Sequence, residues 1–400
     1  MLLTEPFFGI PHNLYSTYVS VYMIALGCSY RQIGLITSVG LACQLFFSLI
    51  SGYVTDKIGR KRSTLIFDLI GWSIPALISA SARNFYYFLV AAIVNSIFRI
   101  EFTSFDCLLV EDTPRKQRVH VYTWMHVTGI LAGFFTPLGG LLVGALDLVP
   151  AMRIIYVFAF FCMTAAFLSR NALVRETDIG FQKMKESRGL RPGMILDEYK
   201  RMAIGLLRDP RLLLVFLVSL LGNIRMTLRQ AFLSILLTSG LGFSAKSIAI
   251  FPAVHSGVML LIFVFFMPLL SKSDPKRPII GGLLLSAAGY LILIFAAGPS
   301  YLMIFTSTVL SAAGTAVVSP FVRSLLANSI KDEDRAKVLS ILNVLLLAST
   351  VPFGYIGGTL SAISERLPFL LIVATLAISL LLVLALKQFD NRYEVTQSDR

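Results

Sequence analysis

The residues of this sequence best suited to chemistry are ionisable side chains set inside long apolar runs. Asn95, Arg99, Thr103 and Asp106 recur at helical spacing in one such run. At 100° per residue, Arg99 and Asp106 fall within about 20° of one face and about 10 Å apart along it, with Asn95 and Thr103 beside them. Glu101 is rotated about 200° from Arg99 and must face elsewhere. Arg225 and Arg229 stack at i,i+4 together with Phe232. Two stacked cations repel unless an acid or an anionic ligand lies between them. Ser311, Thr315, Ser319 and Arg323 keep strict i,i+4 spacing, and His12, Tyr15 and Ser16 share a face close to the start, where Pro11 is expected to kink the helix.

An arginine binds carboxylate or phosphate through a planar fork and does not release its proton. Arg99, Arg225, Arg229 and Arg323 outnumber Glu101 and Asp106 in these runs. The surplus favours an anionic or zwitterionic organic ligand, held by His12, Tyr15, Asn95, Arg99, Arg225, Arg229, Thr315 and Arg323. Proton exchange requires titrating groups, and Asp106, Glu101 and His126 are the candidates, with His12 a further one. The structural alternatives are an Arg99–Asp106 ion pair, a separate pair for Glu101, and an Arg323 that snorkels to the surface. Four cysteines without CxxC spacing give no metal or disulfide framework. HExxH, GxSxG and Walker loops are absent from the sequence, which disfavours an enzyme or an ATP-driven machine.

The elements that must position these residues follow from composition. The chain has 400 residues, of which 56% are hydrophobic and only 14% charged. Its mean hydropathy is +0.78. A soluble domain needs about 25% charged residues to solvate its surface. About 20 apolar residues cross a bilayer as a helix. Such runs occur twelve times, at 6–27, 32–54, 63–82, 85–110, 119–145, 149–170, 211–239, 247–270, 278–297, 300–327, 337–361 and 367–387. The ninth and tenth are parted only by Gly298-Pro299-Ser300, so one long span is the alternative there.

Of the 35 Lys and Arg, 26 follow even-numbered spans or lie in the C-terminal tail. By the positive-inside bias, both termini are cytoplasmic, in a plasma (inner) membrane. The net charge of +13 is therefore a topology signal, and no nucleic-acid partner is implied. Met1–Glu5 lacks the basic start of a signal peptide, so the first span is expected to stay. A charge buried in the bilayer costs about 2.5–3.5 kcal/mol even on lenient scales, so each intramembrane ion needs a reason.

The halves repeat at a nearly constant offset. Leu26-Gly27-Cys28-Ser29 pairs with Leu241-Gly242-Phe243-Ser244, Asp56 with Asp274, Leu108-Leu109 with Leu325-Leu326, and Gly139-Gly140 with Gly357-Gly358. Asp106 and Arg323 are counterparts. Expected domains are 1–172 (six helices), a cytoplasmic linker 173–209 with an amphipathic helix at Met194–Leu207, a second six-helix bundle 210–388, and a tail 389–400. Two such bundles around a midplane site is a transporter architecture.

Gly52-Tyr-Val-Thr-Asp56-Lys57-Ile-Gly59-Arg60-Lys61-Arg62 resembles the signature loop of the major facilitator superfamily. With twelve spans, the repeat and the central linker, the resemblance covers essentially the whole chain. It implies an all-α membrane protein of twelve transmembrane helices in two pseudo-symmetric six-helix bundles, whose helices 1, 4, 7 and 10 line a central cavity. It also implies a conformational latch made by Gly52, Asp56, Gly59 and Arg60. In it, Asp56 would cap a facing helix near Ala336–Val338, and Arg60 would pair with Glu111 or Asp112. Gly129, Gly133, Pro137, Gly139 and Gly140 look like the antiporter motif of the family, or like ordinary small-residue packing. The implied function is secondary active transport of a small organic solute by alternating access, coupled to protons, by a monomer without a cofactor. The alternatives are a proton-coupled multidrug efflux antiporter, or a sensor that binds ligand without moving it.

Overall fold

The protein is described by a computed structural model covering residues 1–111, 113–186, 210–271, 273–328 and 335–398. Among the described residues, eleven helices are long and apolar enough to cross a membrane. They are α2 (Tyr30–Ile58), α3 (Arg60–Ala80), α4 (Phe85–Glu111), α5 (His120–Leu146), α6 (Leu148–Leu173), α7 (Leu212–Gly240), α8 (Ala245–Leu270), α9 (Lys276–Phe295), α10 (Tyr301–Leu326), α11 (Val338–Ile363) and α12 (Leu367–Leu386). The twelfth, α1, spans residues 5–25 as two stretches, Glu5–Ser16 and Val19–Ala25. Helix runs unbroken past Pro11, and an interruption falls at Thr17 and Tyr18. Both keep right-handed helical backbone, and Tyr22 N–H still reaches Tyr18 O at 2.8 Å. No strand occurs among the described residues. The amphipathic helix expected at Met194–Leu207 lies outside them.

The repeat is visible in how the second span of each half begins. Gly27 and Gly242 adopt φ of 86° and 74°, where a side chain would be strained. Two residues later Ser29 and Ser244 cap the next helix, accepting from Gln32 N–H and Ser247 N–H. Gly298 turns the chain at φ 69° and separates α9 from α10. Helix packing repeats too: α1 on α6, α3 on α4, α2 on α4 and α3 on α6 correspond to α7 on α12, α9 on α10, α8 on α10 and α9 on α12.

The halves meet along α2–α11, α1–α7 and α5–α8. Among the described residues, their hydrogen bonds gather toward the end carrying the α1–α2 turn. Ser20 donates to Ala231 O at 2.7 Å, Ser234 to Thr17 O at 2.5 Å, Ser38 to Val351 O at 2.6 Å, and Tyr30 OH to Glu365 at 3.1 Å. Glycine permits the closest approach. A Cβ on Gly358 would stand 2.6 Å from Tyr30 O and 2.8 Å from Gly34 Cα, both backbone atoms that cannot move aside. Gly358→Val should therefore destabilise this arrangement by about 1–3 kcal/mol and lower the thermal midpoint. An unchanged midpoint would mean that α2 and α11 do not pack this closely.

Candidate functional site

The polar stripe of α4 is shared among three neighbours. Asn95 donates to Gly71 O at 2.7 Å, a carbonyl within the π-helical stretch Leu69–Ser73 of α3. A π-bulge displaces backbone groups from the regular ladder, and an amide side chain is well suited to satisfy one. Arg99 bonds Gln44 on α2 through Nε (3.1 Å) and Nη2 (2.9 Å), and Thr103 bonds Ser51 on α2 at 2.9 Å. Asp106 accepts from Tyr122 OH on α5. No Arg99–Asp106 ion pair occurs.

On α1, His12 Nδ1 lies 2.9 Å from Tyr15 OH. The His12 ring packs edge-on against Trp72 of α3, and Tyr15 stacks on Tyr156 of α6. Both residues thus face the interior of the first bundle. On α5, the exposed His126 meets the Phe263 ring of α8 edge-on, their centroids 5.2 Å apart.

Glu101 does look elsewhere, toward the separate pair allowed for it, with a partner that the sequence did not single out. It stands 4.0 Å from Arg170 of α6, a residue only 6% exposed. Arg170 also makes a short ion pair with Asp68 of α3 and lies 3.4 Å from Glu5 of α1. Phe105 and Phe167 lie against the guanidinium at 4.7 and 5.3 Å. Arg170 therefore belongs to the buried interior and not to the basic linker with which the charge count grouped it. Asp68, a lone acid inside the third apolar run, was the signal available in the sequence.

The second bundle holds the opposite arrangement. Arg225 donates to Ser379 of α12 at 3.0 Å. Arg229, one turn on, lines a narrow recess with Tyr290 of α9 and Ser307, Thr308 and Ser311 of α10, walled by Leu233, Leu237, Phe251, Leu293 and Ile304. Both arginines are half-buried, and neither has a carboxylate within 4.0 Å among the described residues. An arginine and hydroxyls combined with apolar walls in one recess suit a ligand with an acidic group and an apolar body. Farther along α10, Thr315 and Arg323 are exposed, and Thr315 bonds back to Ser311 O at 2.8 Å.

At the junction of α2 and α3, Arg60 is 2.8 Å from Asp56 and 3.2 Å from Glu111. Glu176, beyond α6, accepts from the N–H groups of Arg60 (3.0 Å) and Lys61 (2.9 Å), capping α3 at its positive dipole end. Thr177 bonds Glu111. Gly59 is needed here: its φ is 96°, and a Cβ would meet Glu176 at 2.8 Å. Gly52, by contrast, is exposed and a Cβ there would meet nothing within 4 Å, so close packing does not require glycine at that position. Asp112 lies outside the described residues, as do the side chains at 335–337 against which Asp56 was expected to act. Of the α5 glycines, Gly133 and Gly140 pack across the halves: a Cβ on Gly133 would meet Ser256, and one on Gly140 would meet Lys246 O and Ala249 Cβ, each at 2.7 Å, whereas one on Gly129 would meet nothing within 4 Å and one on Gly139 would meet Leu14 and Tyr18 of its own half.

Comparison with known proteins agrees with this architecture. The family model "Major Facilitator Superfamily" matches residues 7–273 and 226–399. An "Uncharacterized MFS-type transporter YqjV" of Bacillus subtilis (strain 168) is 28% identical over 181 residues, 42% of this chain and 44% of that protein, so the match spans less than half of the relative's length. The nucleoside transporter NupG superposes with a TM-score of 0.74 at 13% identity, over 96% of this chain and 98% of that one. A POT family transporter in complex with a thioalcohol-conjugated peptide gives 0.73 at 12% identity, over 98% and 95%. The human organic anion transporter MFSD10 (TETRAN) gives 0.64 at 16% identity, over 96% and 98%. At these identities the structures establish the shared fold. With the family match running almost from end to end, the chain belongs to the major facilitator superfamily.

Proposed function

We propose that this protein is a secondary active transporter for a small organic solute bearing an acidic group, coupled to protons and working by alternating access. It is a carrier and not an enzyme, set in the plasma membrane with both termini in the cytoplasm. The observation that carries this reading is the pair Arg225 and Arg229. Buried cations in proteins are normally matched by acids, as Arg60 and Arg170 are in the first bundle. Cations left unmatched beside a recess lined by hydroxyls are kept for an anion that comes and goes. Arg99 and Arg323 offer further positive charge on α4 and α10, the helices that share the cavity in this fold, and Asp106, Glu101 and His126 are the proton carriers in this reading. With the α1–α2 turn on the outside, the hydrogen bonds between the halves seal that face, and solute exchanges with the cytoplasm in this conformation.

The test is a thermal-shift panel of carboxylates, phosphate esters, zwitterions and lipophilic cations on the detergent-purified protein. Carboxylates with an apolar body should raise the midpoint of the wild type and fail to raise that of Arg229→Ala. Stabilisation by lipophilic cations alone, equal in Arg229→Ala, would replace this reading with multidrug efflux.

A further inference from the structure

A guanidinium set in a membrane-spanning helix needs a counter-charge at all times, and a solute that comes and goes supplies one only while it is bound. Arg229 of α7 is half-buried and lines the recess of the second bundle with Tyr290 of α9 and Ser307, Thr308 and Ser311 of α10. Tyr290 is 5% exposed and Ser307 4%. Ser311 donates to Thr308 O at 3.2 Å. The side chains of Arg229, Tyr290, Ser307 and Thr308 make no hydrogen bond to any other described residue. Buried polar atoms are nearly always paired, so four donors left over around one recess mark a site whose acceptor comes from outside the chain. No Asp or Glu lines the recess among the described residues, so every polar side chain there can donate. The cavity measures about 20 Å³. That is room for one or two water-sized atoms and not for an organic body. A single spherical anion fits it whole, whereas a carboxylate enters only by its oxygens.

We propose that this recess is a chloride site: Arg229, Tyr290, Ser307 and Thr308 hold one halide ion while no solute is bound, and the acidic group of the solute displaces it. A halide accepts hydrogen bonds from any direction, which suits donors carried on three helices. Its single charge matches the one guanidinium in the recess. Tyr290 also interacts electrostatically with Arg225, one turn from Arg229, so an ion beside the phenol eases the repulsion between the two cations. Ion and acidic group draw on the same donors, and affinity for the solute therefore falls as chloride rises. The displacement rests on the reading of Arg229 as the anchor of the solute; the ion site itself does not.

The experiment is a thermal-midpoint titration of the full chain in detergent with sodium chloride, bromide, sulfate and gluconate at constant ionic strength. Chloride and bromide should each raise the midpoint above gluconate and saturate. Tyr290→Phe and Ser307→Ala keep the ring and the helix packing while each removes one donor. Each should weaken halide binding roughly tenfold or more, the loss expected for one hydrogen bond to a charged group. Tyr301→Phe removes a phenol outside the recess and should titrate like the wild type. Equal midpoints in chloride and gluconate would overturn the proposal, as would a halide effect undiminished in Tyr290→Phe, Ser307→Ala and Arg229→Ala alike. So would a ranking of sulfate above chloride above gluconate shared by wild type and variants, the mark of a general salt effect. Once chloride saturates the site, the apparent dissociation constant of a stabilising carboxylate should rise in proportion to chloride, and a constant that ignores chloride would overturn the displacement. Carboxylates that stabilise through Arg229 without any halide effect would sink the chloride site and leave the transport reading standing. A halide effect without carboxylate binding would do the reverse.

Discussion

Arg170→Met should be the most destabilising single substitution in the membrane-embedded core, costing about 3–5 kcal/mol, because it strands buried carboxylates that have no other ion-pair partner among the described residues. Asp68 has Arg170 as its sole ion-pair partner among the described residues, as have Glu5 and Glu101. The guanidinium also fills space between Phe105 and Phe167, so the loss includes packing. Yield of monodisperse protein and thermal midpoint after purification will both report it. The double variant Arg170→Met with Asp68→Asn should recover a substantial part of the loss, since it removes one of the stranded charges. A single variant as stable as wild type would show that the cluster contributes nothing to holding α1, α3, α4 and α6 together.

Arg229→Ala should behave in the reverse way: little or no loss of stability, and a large loss of ligand affinity. Its guanidinium has no carboxylate to strand among the described residues, so removing it relieves a half-buried, unmatched positive charge. A hydrogen bond to a charged group contributes about 1.5–3 kcal/mol, which corresponds to roughly tenfold to more than a hundredfold in the dissociation constant of an anionic ligand. Arg229→Lys should recover only part of this, because an ammonium cannot make the two parallel bonds of the guanidinium fork. Titration of a stabilising carboxylate against each variant by calorimetry will measure it. Equal affinity across wild type, alanine and lysine variants would place the anion elsewhere.

The contrast between these arginines explains what sequence could and could not reveal. Twelve spans were legible because a bilayer demands about 20 apolar residues per crossing, a constraint independent of neighbours. The Gly27–Ser29 and Gly242–Ser244 turns were legible as a repeat because positive φ and N-capping restrict residue type locally. Partnerships were not. Periodicity placed Asn95, Arg99, Thr103 and Asp106 along one stripe, but a stripe as wide as a side chain's reach can serve α3, α2 and α5 in turn. Arg170 was obscured by its place in the last turn of α6, where hydropathy falls into the basic linker, and Glu5 by preceding the first apolar run. The role of Glu176 in capping α3 depends on a fold-back after α6 that no local pattern encodes.

The most direct test of the central claim, that unmatched arginines of α7 bind an acidic solute for transport, is counterflow in proteoliposomes. Vesicles loaded with an apolar-bodied carboxylate should take up the labelled compound when they contain wild-type protein, and Arg229→Ala should abolish that uptake while remaining folded. Uptake of labelled carboxylate undiminished by Arg229→Ala, or counterflow confined to lipophilic cations, would contradict it.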